Sequence, residues 1–563
     1  MIDLSRRHFI GSLGALGAAG AVPGVAFGAS AHGAHGTGAA AADAAAASAL
    51  EKEAATFANP LRLPGTSGLY GVLPATEFRE VRVVRTEIEV LPGKRTPYLA
   101  YAVESGGKQF LNPALLGRRG DEMRVRLIND LDEPTVIHWH GLSLDARNDG
   151  NGTLVVEPGQ SFDYAFQLRD RASMYWYHPH AHGHIAQQAY HGLASLLFID
   201  DDEETALRRE LDLTLGETEI PLVLQDRQFD AQGRLQYAPS ATDLAAGWVG
   251  ERMLVNLTER PFIQAGRRIV RFRILNGSNA RTYRLAFLQG GRKLGFFLAG
   301  TDGGLLASPQ RIDQTFISPA QRLDVLLDLR EAGEGQAVTL ASLAFDPMHA
   351  EGHGGHGGHE AGAMADMADM PGMDHSKMAM PDAPVASMAM DGDAHALLRI
   401  DVQASPAYSR KIPSVLSALP AAVAPKGAPR RMKLALDAKG RWTINGWRFD
   451  PKAVPLTVKR GAAETWLIGN ARQSMPHPMH LHGFKFRVLE RLGSPAQVRA
   501  LAGAKGLLAQ DRGVLDTVHV WPGESVRIAL DFSHPFAGAQ DYVFHCHNLE
   551  HEEGGMMIRY AVK

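Results

Sequence analysis

The chain has 563 residues, 45% hydrophobic and 21% charged, so it can bury several cores and suits three or four domains of ordinary size. Its 58 Lys and Arg against 61 Asp and Glu leave a formal charge of -3, which argues against a nucleic-acid surface. The lone cysteine, Cys546, rules out an intramolecular disulfide framework, whereas 24 histidines and 18 methionines are donors that transition metals use.

At the N-terminus, Ser5-Arg6-Arg7-His8-Phe9-Ile10 sets paired arginines ahead of an uncharged Gly/Ala-rich stretch to about Phe27, followed by Ala29-Ser30-Ala31. This is the pattern of a twin-arginine signal peptide over residues 1–31, with cleavage near Ala31. Five glycines and Pro23 in the apolar stretch argue against a membrane anchor, and no later segment is long and apolar enough to span. The expectation is a periplasmic protein handled by the twin-arginine export machinery, with no permanent membrane span and no nucleic-acid partner. Residues 32–59 are expected to be a flexible segment.

Two patterns then recur in order. Residues 120–129 (GDEMRVRLIN), 266–276 (GRRIVRFRILN) and 461–470 (GAAETWLIGN) share a Gly, an alternating run and a closing Asn. A Pro turn followed by an alternating strand appears as PGQSFDYAFQL from 158, PAQRLDVLLDL from 319 and PGESVRIALDF from 522. Period-two alternation means half-buried strands, and ordered recurrence of both patterns means triplication. With frequent Gly/Pro/Asn punctuation and few long helical patterns, the predicted class is all-β, three Greek-key β-sandwich domains. They are expected at 60–205, 210–345 and 431–563, with a low-complexity insert at 346–396 and a linker at 397–430.

Histidine pairs follow the repeated elements in the outer copies only. The first copy gives His138-Trp139-His140 and Trp176-Tyr177-His178-Pro179-His180, and the third gives His477-Pro478-Met479-His480-Leu481-His482 and His545-Cys546-His547. Residues i and i+2 of a strand share a face, so each H-x-H pair can aim two imidazoles at one point. One such pair is weak evidence and is usually solvated or packed in a core, but four at equivalent positions are not. The middle copy has Gly277-Ser278-Asn279 instead and is expected to be structural.

In His545-Cys546-His547-Asn548-Leu549-Glu550-His551-Glu552-Glu553-Gly554-Gly555-Met556, alternation sends His545 and His547 to one face and Cys546 to the other. Neighbouring residues can thus serve two metal centres. On the cysteine side, His551 and Met556 come next on the turn and His477 can arrive from the preceding strand. Two His, one Cys thiolate and an axial Met form the ligand set of a blue-copper site. A thiol that is merely a small buried hydrophobe would leave those neighbours unexplained.

From about residue 60 onward the four motifs together resemble the multicopper oxidase family. The resemblance implies three cupredoxin domains and four coppers: one type 1 ion in the third domain, and a type 2 ion with a type 3 pair between the first and third. Carried over by motif, His477, Cys546, His551 and Met556 would hold the type 1 copper, and His138 and His480 the type 2 copper. His140, His178, His180, His482, His545 and His547 would hold the type 3 pair. His182 and His184 extend the alternation after His180, which leaves His182 as an outlying support or a substitute ligand. Asp149 and Glu552 match the family's acidic positions for proton delivery.

Within the family the chain is most similar to bacterial copper efflux oxidases through its insert. Residues 348–395 hold nine of the methionines, from Met348 to Met390, and six histidines. Thioethers suit Cu(I), so the segment is expected to be mobile and to bind additional labile copper. The family's substrate-copper site is matched at Met348 and Met475, while Gln473 and His353 stand where it has aspartates. The resemblance therefore implies oxidation of Cu(I) coupled to four-electron reduction of O2 to water, in periplasmic copper tolerance. A laccase-like oxidase of small phenolic reductants or bilirubin-type pigments is the second reading, and a non-catalytic copper-binding or scaffold protein the third. Retention of the whole ligand set counts against the third.

Overall fold

The computed structural model describes residues 35–64, 70–333, 335–348, 391–405, 407–423, 425, 427–472 and 474–563. The signal peptide, most of the Met/His-rich insert, His353 and Gln473 lie outside the described residues. No described helix is long and apolar enough to cross a membrane.

The expectation of a flexible segment at 32–59 is corrected by helix α1 (His35–Ala54) and a two-residue strand, Asn59–Pro60, that pairs with Pro261–Phe262. The helix is alanine-rich, which favours helix formation. Ala47, Leu50 and Ala54 are buried on it, with the first two packed against Ala286, Leu288 and Ala341 of the second domain. The alanine bias that reads as low complexity thus also supplies a narrow packing stripe.

The first domain is two five-stranded sheets around a core that includes Val83, Tyr101, Leu127 and Tyr164. Strands β1 (Ile137–His140) and β2 (Ser173–Pro179) are antiparallel neighbours, with His138 opposite His178 and His140 opposite Trp176. Trp139, pointing the other way, packs edge-on against Tyr164 and Phe166 in the core. Both faces of β1 are buried, one in the domain core and one against the third domain.

The second domain has two seven-stranded sheets around Phe272, Ile274 and Phe287. A short helix, α2 (Ala241–Ala246), leaves its periphery. Strand β3 (His395–Gln403) lies between Pro261–Gly266 and Ala337–Ser342. The predicted boundaries are corrected accordingly: the domain does not end at 345 but resumes after the insert, and the linker begins past Gln403. Leu398, Ile400 and Val402 alternate into the core, a short period-two run set beside biased sequence.

The third domain, two five-stranded sheets around Trp466, Phe532 and Phe544, carries β4 (His477–Leu481) between β5 (Thr517–Val520) and β6 (Gln540–Cys546). The register sets His480 opposite His545, Met479 opposite Cys546 and His477 opposite Val520. A one-residue slip would exchange the faces of all of them. Helix α3 (Leu549–Glu553) comes after β6, its N-cap Asn548 accepting from the His551 N–H.

Removing the Leu50 side chain tests whether α1 is part of the folded body. Leu50→Ala should cost about 2 to 5 kcal/mol of local stability. The expected readouts are a lowered thermal midpoint and faster protease cleavage within 35–54.

Candidate metal centres

The four H-x-H pairs converge. All eight imidazoles, His138, His140, His178, His180, His480, His482, His545 and His547, are buried between the first and third domains. Two ring stacks cross that interface, His138 on His482 and His140 on His480, each with centroids 3.8 Å apart. The ring nitrogens gather in overlapping groups, His138 with His480 and His482, His138 with His140 and His178, and His180 with His482 and His545. His180, His482 and His545 lie 4.8 to 5.2 Å apart by centroid. His140, His178 and His547 lie 5.1 to 5.5 Å apart. His138 and His480 are 5.8 Å apart.

Acceptors behind the rings assign the tautomers. Nδ1 of His138 donates to the Asp149 carbonyl at 2.7 Å, and Nδ1 of His480 to the Asp516 carbonyl at 2.9 Å. A carbonyl only accepts, so each Nε2 is left with a bare lone pair, and both are buried without a hydrogen-bond partner. In the same way Nδ1 of His178 donates to the Pro179 carbonyl at 3.0 Å and Nδ1 of His545 to the Cys546 carbonyl at 3.1 Å. The Nε2 atoms of His482 and His545 then face each other at 3.0 Å. Lone pairs aimed at one another in a dry site call for a cation between them. Burial and mutual repulsion hold His138, His140, His178, His480 and His482 well below the usual imidazole range, and bring His547 to about 3. Neutral imidazole is the ligand form.

Both predicted carboxylates are at this site. Asp149 is fully buried, its Oδ2 accepting from His482 Nδ1 at 2.8 Å, and burial with the Asp145 charge pushes its pKa well up. Glu552 is 3.0 Å from His180 Nε2 and 3.2 Å from His545 Nδ1. Burial would raise its pKa, but the His545 and His180 imidazoles draw it well below the usual range. His182 is corrected: it is exposed against Phe449, outside the cluster, while His184 lies 3.6 Å from Glu133. The strand ends at Pro179, so alternation no longer governs the residues beyond His180.

On the opposite face of β6 lies the second site. Cys546 Sγ is 3.5 Å from His477 Nδ1 and 3.6 Å from His551 Nδ1. Met556 is fully buried in the same core, and its carbonyl accepts the Cys546 N–H at 3.0 Å. Burial pushes the Cys546 thiol far above its ordinary pKa, so a thiolate there requires a bound cation. Burial also lowers His477, and takes His551 to about 4. Of the two methionines expected at a substrate site, Met475 is half-buried two residues before His477, and Met348 is 54% exposed where the described chain leaves the second domain.

Sequence reasoning missed Asp516, which lies in no repeated element. Its Oδ1 accepts from His140 Nε2 at 3.1 Å, which leaves His140 Nδ1 facing His178 Nε2 at 3.3 Å. Arg322 holds that carboxylate with both terminal nitrogens, at 2.9 and 2.6 Å. Arg322 belongs to the second repeated element of the middle domain, which supplies no ligand but extends its structural role into the site: it orients a histidine of the first domain through a carboxylate of the third. Only the packing of three domains brings these groups together.

Arg322→Ala would leave the Asp516 charge buried and unpaired, a change that costs about 3 to 5 kcal/mol. The expected result is a lowered thermal midpoint, together with weaker copper retention on dialysis against a chelator.

Comparison with known proteins agrees with this architecture. Two family profiles, both described as "Multicopper oxidase", match the chain, one over residues 93–204 and the other over 424–563. The chain is 30% identical over 500 residues to a laccase of Bacillus subtilis, covering 80% of this chain and 88% of that one. It is 28% identical over 456 residues to the multicopper oxidase mco of Staphylococcus epidermidis, covering 80% and 82%. Among solved structures it superposes on the McoA multicopper oxidase of Aquifex aeolicus with a TM-score of 0.76 at 33% identity, over 90% of this chain and 99% of that one. Similarity of this extent, running through both histidine-bearing domains, means that the chain belongs to the multicopper oxidase family and is an oxidoreductase.

Proposed function

We propose that this oxidase takes electrons singly from Cu(I) and uses four of them, with four protons, to convert O2 to two waters, in periplasmic copper tolerance. The balance is four Cu(I) oxidised to Cu(II) per O2. The observation that carries the reading is the back-to-back arrangement on β6, where Cys546 faces one donor set and its sequence neighbours face the other.

In this reading His477, Cys546, His551 and Met556 hold a type 1 copper, and His138 with His480 the type 2 copper. His140, His178, His180, His482, His545 and His547 would hold the type 3 pair, for four coppers per chain. Bound copper supplies the one-electron redox and oxygen chemistry. The protein gives electrons a covalent path from Cys546 to His545 and His547, and keeps bulk water from both sites. Asp149 and Glu552 stand within hydrogen-bond reach of rings at the cluster, and we assign them the handling of protons there.

Support for Cu(I) as donor comes from the insert. Its root is held on the third domain: Asp346 N–H donates to Gln497 at 3.2 Å, and Phe345 lies 6.0 Å from Trp521. Trp521 comes directly after Val520, the strand partner of His477. A segment rich in soft thioether donors thus starts beside the His477 side of the type 1 site.

Three measurements test this reading. Purified holoenzyme should carry about four tightly held coppers, with extra labile ions in the insert. Cys546→Ser should abolish the intense blue absorption and turnover together, and persistent turnover would refute the electron path. Deleting 350–393 should abolish Cu(I) turnover while phenol oxidation holds or rises. An equal loss of both would overturn the substrate assignment.

A further inference from the structure

Helix α2 is unusual in that none of its side chains is buried, and Leu244 is 44% exposed. Core packing does not explain its position. Its own ends are regular: Ser240 and Asp243 form a reciprocal capping box. Backbone bonding to the type 1 site and to α3 is the force that ties it down.

Each type 1 imidazole turns Nδ1 toward Cys546 and so presents Nε2 outward. Nε2 of His551 donates to the Ala245 carbonyl at 2.8 Å, and the same oxygen accepts the Trp442 indole N–H at 2.9 Å. One carbonyl has two lone pairs, so both are taken. The Trp442 ring covers both ligands, edge-on to His477 at 4.6 Å and tilted over His551 at 5.3 Å. Next along the chain, the Ala246 carbonyl accepts from Asn548 and the Trp248 N–H donates to Glu550 at 3.0 Å. Gly247 has φ +101°, and a Cβ there would stand 2.4 Å from Ala280 and 2.5 Å from Asn548, so only glycine lets the chain pass.

The space left at His551 is a cavity of about 190 Å³ lined by His551 and Ala245 with Leu244, Trp442, Arg441 and Arg448, below the roughly 300 Å³ at which small-molecule pockets begin. Its two guanidiniums also disfavour a cuprous ion. At the other ligand the contact is different in kind: His477 Nε2 meets the Ser474 hydroxyl at 3.3 Å, a single rotor beside half-buried Met475.

We propose that residues 240–248 are a selectivity cap, which closes the His551 edge to aromatic reductants and leaves the His477 edge, beside Met475, to accept electrons from Cu(I). The proposal rests on the type 1 assignment above. A phenol gives up one electron and its hydroxyl proton to become a phenoxyl radical. An imidazole N–H already donating to a fixed carbonyl offers that hydroxyl oxygen no hydrogen bond, and the cavity under Trp442 is too small to seat the ring. Ala245 and Trp442 are positioning residues here, acting through His551.

The test compares two donors in one holoenzyme, because a general structural defect lowers both rates while a cap changes their ratio. In one variant, residues 241–246 are replaced by alternating Gly and Ser of equal length. The second variant is Trp442→Phe, which keeps a ring but removes the indole donor. The ratio of kcat/KM for 2,6-dimethoxyphenol to that for Cu(I) should rise about tenfold in the first and a few-fold in the second. The copper hyperfine splitting of the type 1 signal should shift as His551 loses a fixed acceptor. A ratio unchanged within about twofold in both variants, with blue absorption intact, overturns the cap. Should the segment replacement lose its blue absorption, Trp442→Phe alone decides. Absence of blue absorption from the unmodified holoenzyme would instead sink the type 1 assignment, and with it the cap.

Discussion

A neutral imidazole has one N–H and one lone pair, and at six of the eight cluster rings an acceptor behind the ring decides which nitrogen keeps which. The carbonyls of Asp149, Pro179, Asp516 and Cys546 are main-chain groups fixed by the strands and turns that carry them. They cannot rotate away or change protonation, so the ligand geometry is set before any metal arrives. That is preorganisation in a low-dielectric site, where an unpaired lone pair is costly and a cation is correspondingly well held. The cost of desolvating eight imidazoles is borne by the packing of two sandwiches around them.

The middle domain, without a ligand of its own, is drawn into this arrangement at two places. Arg322 fixes Asp516, and through it His140, at the histidine cluster. Asn279, in the loop after the closing Asn of the middle copy, donates to Glu550 at 2.9 Å, on the same short helix as His551 and Glu552. Three successive residues of that helix thus serve three neighbours: Glu550 the second domain, His551 the type 1 site and Glu552 the cluster. The outer domains carry the histidines, and the inner one contributes support.

Much of this was legible in the sequence because strand alternation is a strict rule. His545, Cys546 and His547 had to split between two faces, and His138 and His140 had to share one, whatever the loops did. The signal failed where periodicity ended. His182 continues the spacing of His178 and His180 but lies past the end of the strand, and it points to solvent. Helix α1 was hidden by its own alanine bias, and β3 by the insert beside it. Asp516, Arg322 and the Ala245 carbonyl act through contacts between segments far apart in the chain, and a backbone oxygen leaves no residue-type signature at all.

The two sites differ in how many domains they need. His477, Cys546, His551 and Met556 all belong to the third domain, whereas the cluster takes half of its imidazoles from the first. On the assignment proposed above, loosening of the domain interface would separate the imidazoles of the cluster while the Cys546 centre stays whole. A molecule damaged in this way would still look blue and still take up its first electron, but it would have nowhere to send it, so colour alone is a poor witness to a competent enzyme.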